Sequence, residues 1–286
     1  MNLKYNTQPF EAGGVTLDFR KETIVMGILN VTPDSFSDGG KFNEVEAAVA
    51  RAKQMVAEGA KIIDIGGEST RPGHTVISDE EEIARVVPII QAIRAEVNAV
   101  ISIDTYKSKV ARAAILAGAH VINDIWGAKR DPNVAKVAAE FGVPIILMHN
   151  RDNEDYVDFW PEAKQDLIEC IQIAKAAGVP DAHIWLDPGI GFGKSTKQNI
   201  WMMQHLNDLV EMGYPVLLAT SRKRLIGNVL KLPVEERVEG TGATVCYGVQ
   251  QGCHMVRVHD VKEIARMTKM MDVLIGKVEY EESGSN

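Results

Sequence analysis

The chain has 286 residues, with 31 Lys and Arg against 39 Asp and Glu, and a net charge of −8. This balance excludes an extended basic nucleic-acid surface, and no apolar run approaches the ~20 residues that span a bilayer. We therefore expect no nucleic-acid partner and no membrane association.

The compartment is predicted from the N-terminus and the cysteines. The first 14 residues lack the apolar core of a secretory signal. Cys170, Cys246 and Cys253 are an odd set without C-x-x-C spacing, on segments interpreted as helical. Buried reduced thiols in a cytoplasmic protein are expected, rather than disulfides or a zinc site.

Short runs rich in Ile, Val and Leu alternate with helical periodicity along the chain. The predicted strands are 23–30, 61–66, 100–104, 120–124, 144–149, 183–187, 215–220 and 255–258.

Cap signals locate the helices between these strands. The first helix is predicted over 44–59, with Asn43 as N-cap and Gly59 as the stop. Ser78 and Glu81 have capping-box spacing, although Pro88 should kink the helix that follows or delay its start. Asp131 followed by Pro132 is typical of a cap before a first turn. Further helices are predicted near 108–117, 133–141, 161–177, 197–212, 241–251 and 261–275.

Eight strand–helix units without a break in composition predict one α/β domain, a (β/α)8 TIM barrel, over residues 1–276. The opening segment 10–19, split by Gly13 and Gly14, is interpreted as a hairpin closing the bottom of this barrel. Residues 277–286 form a polar tail.

Polar residues lie at the end of every predicted strand. In a barrel these strand ends converge on one face, where catalytic groups project. A single polar residue at a strand end is more often the cap of the following helix than a ligand. Here polar residues lie at all the strand ends, and the cations are confined to the last two strands, so the pattern predicts an active site. The strand-end residues are Asn30, 64–68, Asp104, Asn123, Asp124, Met148, His149, Asp187, 221–223, Arg257 and His259.

Seven motifs in order give the chain a clear resemblance to the dihydropteroate synthase family over residues 15–276. They are NVTPDSFSDGG from Asn30, DIGGESTRPG from Asp64, ISIDT, IND, LDPGIGFGK, TSRK and RVHD. The resemblance implies condensation of 6-hydroxymethyl-7,8-dihydropterin pyrophosphate with 4-aminobenzoate to 7,8-dihydropteroate and pyrophosphate. It also implies Mg²⁺, a homodimer, a role in bacterial folate synthesis, and inhibition by sulfonamides.

The resemblance implies a pterin pocket. The 2-amino and N3–H edge of a pterin donates two hydrogen bonds, which an ionised Asp187 would accept. Asp104 and Asn123 would bind the remaining ring nitrogens, and Lys223 would donate to the oxygen and N5 side. Ile125 and Met148 would contact the ring faces, although ordinary core packing is equally open for Met148.

The resemblance also implies a site for the pyrophosphate. Thr70, Arg71, Arg257 and His259 would bind this group, and the oxygen of Asn30 suits a magnesium ion that keeps water and phosphate ligands. His259 alone could be structural, but the neighbouring Arg257 favours an anion site. His149 has no such neighbour on its strand and stays ambiguous.

The 4-aminobenzoate would bind beneath the loops after the first two strands. These loops would close over the site and supply Phe36, Ser37, Asp38, Thr70, Arg71 and Pro72. Phe192 would add an apolar wall, and the carboxylate would lie near Ser221 and Arg224, at a helix start. Many members carry Ser where this chain has Arg224, so that contact stays open. Asp38, Arg71, Asp104 and Lys223 are the implied catalytic residues.

Three other functions compete with this one. A pterin-binding methyltransferase domain shares the carboxylate and Asn pocket but needs neither the SFSDGG loop nor the RVHD anion pair. A noncatalytic pterin-binding homologue would be expected to lack Asp38, Lys223 or Arg257, and all three are present. A Schiff-base aldolase needs an inward lysine at a suitable strand end, for which Lys223 is the sole candidate.

Overall fold

The structure is a computed structural model that describes residues 3–6, 8–31, 40–68 and 76–280. The chain opens with an antiparallel hairpin of β1 (Phe10–Ala12) and β2 (Val15–Leu17). Gly13 and Gly14 make its turn with φ of 59° and 75°, a left-handed region that glycine enters at little cost. The predicted hairpin is confirmed.

Eight parallel strands follow within the described residues, hydrogen-bonded in the order β8-β7-β6-β5-β4-β3-β10-β9. A parallel bridge between Leu186 and Val216 joins the two ends of this sheet, so the described strands form a barrel. The strands are β3 (Ile24–Asn30), β4 (Ile62–Gly66), β5 (Val100–Asp104), β6 (Val121–Asp124), β7 (Ile145–Met148), β8 (Ile184–Asp187), β9 (Leu217–Leu218) and β10 (Met255–Val258).

Helices surround the sheet. Those in the described ranges are α1 (Gly40–Glu58), α2 (Asp79–Glu96), α3 (Ser108–Ala117), α4 (Asn133–Phe141), α5 (Phe159–Ala176), α6 (Thr196–Gln204), α7 (Leu206–Val210), α8 (Arg224–Leu230), α9 (Val238–Gln250) and α10 (Val261–Leu274). The α/β barrel predicted from the sequence is therefore confirmed. Within the part of the chain that the structure describes, no helix is both long and apolar enough to cross a bilayer.

Some predicted boundaries are wrong. Asn43 is not an N-cap, because α1 begins at Gly40 and Asn43 lies in its first turn, a position that asparagine also tolerates. The predicted helix over 197–212 is two helices that meet at His205. The predicted strand over 215–220 shortens to Leu217–Leu218, because only these residues form the ladder to β10. Cys253 lies after α9 rather than in a helix.

Pro88 does not delay α2. The helix begins at Asp79, where the Ser78 side chain accepts a hydrogen bond from Glu81 N–H at 3.1 Å, as its spacing predicts. Four acidic residues in the first turn favour the positive end of the helix dipole. Pro88 lies on the exposed side, where water can satisfy the carbonyl four residues earlier.

The alternation of side chains across each strand separates two cores. One parity faces the helices and includes Ile63, Ile101 and Leu147. The other parity brings apolar side chains from all eight strands into one cluster, which only the interior of a closed barrel allows. This inner cluster contains Ile24, Met26, Ile62, Val100, Val121, Ile146, Trp185, Leu217 and Met255.

The hairpin segment closes this inner cluster from below. Leu17 and Phe19 are buried within it, and both Phe10 and Phe19 meet the Trp185 ring edge-on, at centroid distances of 5.8 and 5.3 Å. Edge-to-face geometry suits the quadrupoles of the two rings. The bottom of the barrel is therefore dry and filled, and any site must lie at the other end.

We expect Phe19→Ala to lower the free energy of unfolding by about 3–5 kcal/mol, because it leaves a cavity against Trp185. Leu116→Ala is the control, since Leu116 is 70% exposed and should change stability by less than about 0.5 kcal/mol. Urea unfolding of both variants measures the difference. Equal stability of the two variants would contradict a packed plug.

Candidate active site

Directly above the apolar cluster, the inner face of the barrel becomes polar. Two residues beyond Ile62, Val121, Trp185 and Met255, the strands carry Asp64, Asn123, Asp187 and Arg257. Asp104 is the Cα partner of Asn123, and Met148 that of Asp187. The structure thus brings these predicted site residues together on one inner face, at the carboxyl ends of the strands. Met148 belongs to the wall of this site rather than to the outer core.

Arg257 is the central cation of this layer. Its Nε donates to Asp64 Oδ2 and its Nη2 to Asp104 Oδ2, each at 2.6 Å. Burial alone lowers the pKa of Arg257, but Asp64 and Asp104 outweigh burial and raise it. Burial raises the pKa of Asp104 to about 7, opposed by Arg257 and reinforced by Asp64. The guanidinium therefore holds two carboxylates that could not otherwise share this volume.

Asp64 is a site residue that the sequence analysis did not assign a role. It is fully buried, and its Oδ2 also accepts from Asn123 Nδ2 at 3.2 Å. One carboxylate therefore orients both Arg257 and the Asn123 amide. Strand parity was the available signal, since Asp64 lies two residues after the inward Ile62.

Asp104 offers an acceptor to the cavity. Among the described residues, its Oδ1 is buried without a hydrogen-bond partner, as is Asp64 Oδ1. A buried unsatisfied acceptor is costly and suits a ligand that brings donors. The pair therefore favours a donor-bearing ligand at this level of the barrel.

Asp124 lies outside this layer. It has the opposite parity to Asn123, and its carboxylate accepts from Trp126 N–H at 2.8 Å and Ala128 N–H at 2.7 Å. Burial raises its pKa to about 7, while these hydrogen bonds lower it. Asp124 thus shapes the loop after β6 and is a structural residue of the predicted strand-end ring. Ile125, the next residue, is partly exposed.

Asp187 and Lys223 are two further charged groups of the site, and each influences the pKa of the other. Asp187 is buried, and its Oδ1 accepts from Gly189 N–H at 2.6 Å. Burial raises the pKa of Asp187, opposed first by Lys223. Burial likewise lowers the pKa of Lys223 to about 8, opposed by Asp187 and Asp104. Lys223 donates to the Ile190 carbonyl, and its Nζ lies 4.8 Å from the centre of the Phe192 ring.

His149 is not part of this site. Its Nε2 lies 3.0 Å from Asp166 Oδ2, and its Nδ1 lies 2.6 Å from Lys194 Nζ. The ring is fully buried and on the side of the helices, since Asp166 belongs to α5. The ambiguity that the sequence left at His149 is thereby resolved in favour of a role away from the inner face.

The ends of β9 and β10 supply a hydroxyl and an imidazole. Ser221 Oγ and His259 Nδ1 are 2.8 Å apart, and Ser221 Oγ also accepts from the His259 backbone N–H. Arg224 is the first residue of α8 and is exposed, so its side chain reaches solvent. Helix α8 itself is an element that the periodicity did not predict, because it has only seven residues.

Asn30 lies at the rim of the barrel beside a glycine. A Cβ added at Gly66 would lie 3.7 Å from both Asn30 Oδ1 and Asp104 Oδ2, so glycine keeps the space between these oxygens open. Within the described ranges, no cluster of three His, Cys, Asp or Glu side chains could hold a metal. A rim with one neutral oxygen fits an ion that takes its other ligands from water and phosphate.

Six predicted site residues lie outside the described residues. They are Phe36, Ser37, Asp38, Thr70, Arg71 and Pro72.

We expect Arg257→Met to destabilise the fold by about 3–5 kcal/mol at pH 8, because it leaves two buried carboxylates without a cation. Removing Arg257 also removes the effect that lowers the pKa of Asp104. An aspartate with a raised folded pKa loses stability as pH rises from its unfolded value of about 3.9. The loss should therefore shrink towards pH 5.

Urea unfolding at pH 5 and pH 8 measures this difference. Arg112→Met is the matched control, because Arg112 pairs with Glu140 on the surface and should cost no more than about 1 kcal/mol at either pH. A loss for Arg257→Met that is the same at both pH values would contradict the shared ion cluster.

Known proteins share this architecture. A family model described as pterin binding enzyme matches residues 26–259. The dihydropteroate synthase of Bacillus subtilis (strain 168) is 57% identical over 271 residues, covering 95% of each chain.

Solved structures agree. The dihydropteroate synthase of Xanthomonas albilineans with 4-aminobenzoic acid superposes with a TM-score of 0.88 at 41% identity, covering 93% of this chain and 98% of that one. The Yersinia pestis enzyme with a sulfonamide drug complex gives a TM-score of 0.87 at 38% identity, covering 94% and 100%.

Proposed function

The chain belongs to the dihydropteroate synthases, and on that premise we propose how its residues condense 6-hydroxymethyl-7,8-dihydropterin pyrophosphate with 4-aminobenzoate. The observation that carries the proposal is a polar layer of four buried residues, Asp64, Asp104, Asn123 and Asp187, and the partly buried Arg257, above a dry barrel floor. Such a layer has acceptors and one cation at fixed positions, and a flat, donor-rich heterocycle matches it.

Asp187 binds the 2-amino and N3–H edge of the pterin. An ionised carboxylate accepts both donors, and the neighbouring cations Lys223 and Arg257 favour that ionised form. One N–H of Asn123 Nδ2 is taken by Asp64, so its carbonyl oxygen and its second N–H are left for the ring nitrogens. Asp104 accepts from the same side, Lys223 donates to the ring oxygen and N5 side, and Met148 and Ile125 contact the ring faces.

The pyrophosphate binds at the mouth above this pocket. Arg257 and His259 supply donors, and Thr70 and Arg71 belong to the same proposed set. Asn30 would hold a bound Mg²⁺ through its side-chain oxygen, and the ion would supply positive charge to the departing pyrophosphate. The open space over Gly66, between Asn30 and Asp104, supports this assignment.

The reaction is a dissociative substitution at the methylene carbon of the pterin. The C–O bond to pyrophosphate breaks, and the electron-rich dihydropterin delocalises the resulting positive charge. Asp104 stabilises that charge, while Arg257 and Lys223 favour the departing anion. The arylamine is itself the nucleophile: its nitrogen lone pair forms the C–N bond, and the ammonium so formed loses one proton to water. The protein therefore supplies orientation and electrostatics. Asp38 and Arg71 complete the proposed catalytic set.

The 4-aminobenzoate packs on Phe192, whose ring lies beside Lys223 at the mouth. Its carboxylate lies near Ser221 and the first residue of α8. Arg224 is exposed there and offers a cation at long reach. Phe36, Ser37, Thr70 and Pro72 belong to the same proposed subsite, which sulfonamides also occupy.

We further propose a cytoplasmic homodimer. The three cysteines in the described residues are free thiols, as in a reducing compartment. Large apolar side chains are exposed on and after the last two helices, which supports an interface there. They are Tyr247, Met270, Leu274, Val278 and Tyr280.

A coupled pyrophosphate-release assay tests the function. The dihydropterin pyrophosphate should release pyrophosphate rapidly only when 4-aminobenzoate is also present, and 7,8-dihydropteroate should form in equal amount. Asp187→Asn should abolish the reaction, because the amide sets an N–H donor against the N–H donors of the pterin. A site built for a hydrogen-bonding group rejects a mismatch by roughly 10⁴-fold.

Calorimetric titration of the pterin substrate into folded Asp187→Asn identifies the affected step. Wild-type affinity in this variant would remove Asp187 from the pterin pocket. Absence of any 4-aminobenzoate-dependent release by the wild type would instead contradict the proposed reaction.

The magnesium site is tested by titrating pyrophosphate with and without Mg²⁺. We expect Mg²⁺ to strengthen binding to the wild type by about 5- to 150-fold, the usual range of coupling between two ligands. Asn30→Ala should lose most of this gain, since its methyl group cannot ligate the ion. Asn133→Ala, on the first turn of α4, is a matched control. An undiminished Mg²⁺ effect in Asn30→Ala would exclude Asn30 as a ligand.

A further inference from the structure

Lys194 is a buried lysine that the proposed reaction does not use. Its residue is 6% exposed, and its Nζ lies within 2.9 Å of three acceptors: Gly189 O, Phe192 O and His149 Nδ1. An ammonium has three N–H donors, and these three acceptors use all of them. All three acceptors are neutral, so this is not a salt bridge.

His149 is held in the tautomer that this arrangement needs. Its Nε2 lies 3.0 Å from Asp166 Oδ2, and a carboxylate can only accept there, so Nε2 carries the proton. Nδ1 is then free to accept from Lys194. Burial, together with the charge of Lys194, lowers the pKa of His149 to about 4, so the ring is neutral at pH 7.

The segment that Lys194 ties down touches both charged groups of the pterin pocket. Gly189 N–H donates to Asp187 Oδ1 at 2.6 Å, and the Ile190 carbonyl accepts from Lys223. The Phe192 ring lies beside Lys223 Nζ. Gly189 has a φ of 66°, and an added Cβ there would lie 1.9 Å from the His149 carbonyl. Only glycine therefore fits at this position.

We propose that Lys194, held by His149 and Asp166, is a positioning residue that fixes the segment 189–192 against the pterin pocket. This inference rests on the proposed role of Asp187 in binding the pterin. Lys194 touches no substrate. It acts through two carbonyls, which set the place of the Gly189 N–H, the Ile190 oxygen and the Phe192 ring.

The positive charge of Lys194 also favours the ionised form of Asp187. Burial raises the pKa of Asp187, and Lys223, Arg257 and Lys194 each oppose that rise. Burial lowers the pKa of Lys194 well below its usual value, Lys223 and Arg151 lower it further, and Asp187 and Asp166 oppose this shift. Loss of Lys194 therefore raises the pKa of Asp187, and the ionised form is lost at a higher pH as the solution is acidified.

Lys194→Met tests the proposal, because methionine keeps an unbranched side chain and has no donor. We expect kcat/KM for the pterin substrate to fall on the order of 10²-fold, the cost of a small misplacement of binding groups. The acid limb of pterin binding, measured by calorimetry from pH 5 to 9, should move to higher pH. Lys197→Met removes the same charge from an exposed position of α6 and should leave both quantities unchanged.

A purely structural role predicts a loss of stability without a shift of the acid limb, so an unmoved limb in folded Lys194→Met would overturn the proposal. Wild-type kcat/KM would overturn it too. The imidazole ¹⁵N shifts of His149 in the unmodified enzyme give an independent reading that needs no variant. Protonated Nε2 and unprotonated Nδ1 are expected, and the opposite tautomer would refute the donation by Lys194.

Asp187→Asn distinguishes an error in the proposed role of Asp187 from an error in the proposed role of Lys194. If that variant binds pterin normally, the proposed role of Asp187 is wrong. If it loses binding while Lys194→Met behaves as the wild type, only the role of Lys194 is wrong.

Discussion

The polar layer of the barrel depends on one buried guanidinium. Arg257 joins Asp64 and Asp104 across the inner face, with 2.6 Å to each carboxylate. Both carboxylates lie on neighbouring strands, β4 and β5, at depths where water cannot solvate them. Without a cation between them, one would have to take up a proton. With it, both carboxylates are paired with one cation, and Asp64 Oδ1 and Asp104 Oδ1 remain as acceptors in a volume that would otherwise be apolar.

The cluster of Arg257, Asp64 and Asp104 also orients another group of the pocket. Asp64 fixes the Asn123 amide through Oδ2, so the direction of this amide follows from a residue on another strand. On the opposite wall, Lys194 and His149 fix the segment that contacts Asp187 and Lys223. The binding groups are thus held by buried partners on rigid elements, which is the condition for electrostatic stabilisation without reorganisation.

The apolar floor of the barrel keeps water away from the lower side of the polar layer. The same strand parity that points Asp64, Asn123 and Asp187 into the pocket points Ile62, Val121 and Trp185 into a dry core below it. Phe19 and the hairpin seal that core from outside. Water can therefore enter from the mouth only, and interactions at the polar layer act in a medium of low dielectric.

The α/β barrel, the opening hairpin, most helices and strands and the family can all be predicted from the amino-acid sequence. These follow from local signals: a period of two against a period of 3.6, Gly13 and Gly14 at a turn, Ser78 at a cap, and long motifs such as DIGGESTRPG. The start of α1 was predicted wrongly, as Asn43 shows, because several positions near a helix start tolerate asparagine.

Which of the polar residues at the strand ends face the same space is visible only in the folded barrel. Asn123 and Asp124 are adjacent in sequence, yet one faces the pocket and the other caps a loop. Asp64 became a site residue through partners 59 and 193 positions away. His149 and Lys194, 45 positions apart, form one unit behind the pocket. Such roles depend on which strands are neighbours and on side-chain direction, and both are set when the barrel closes.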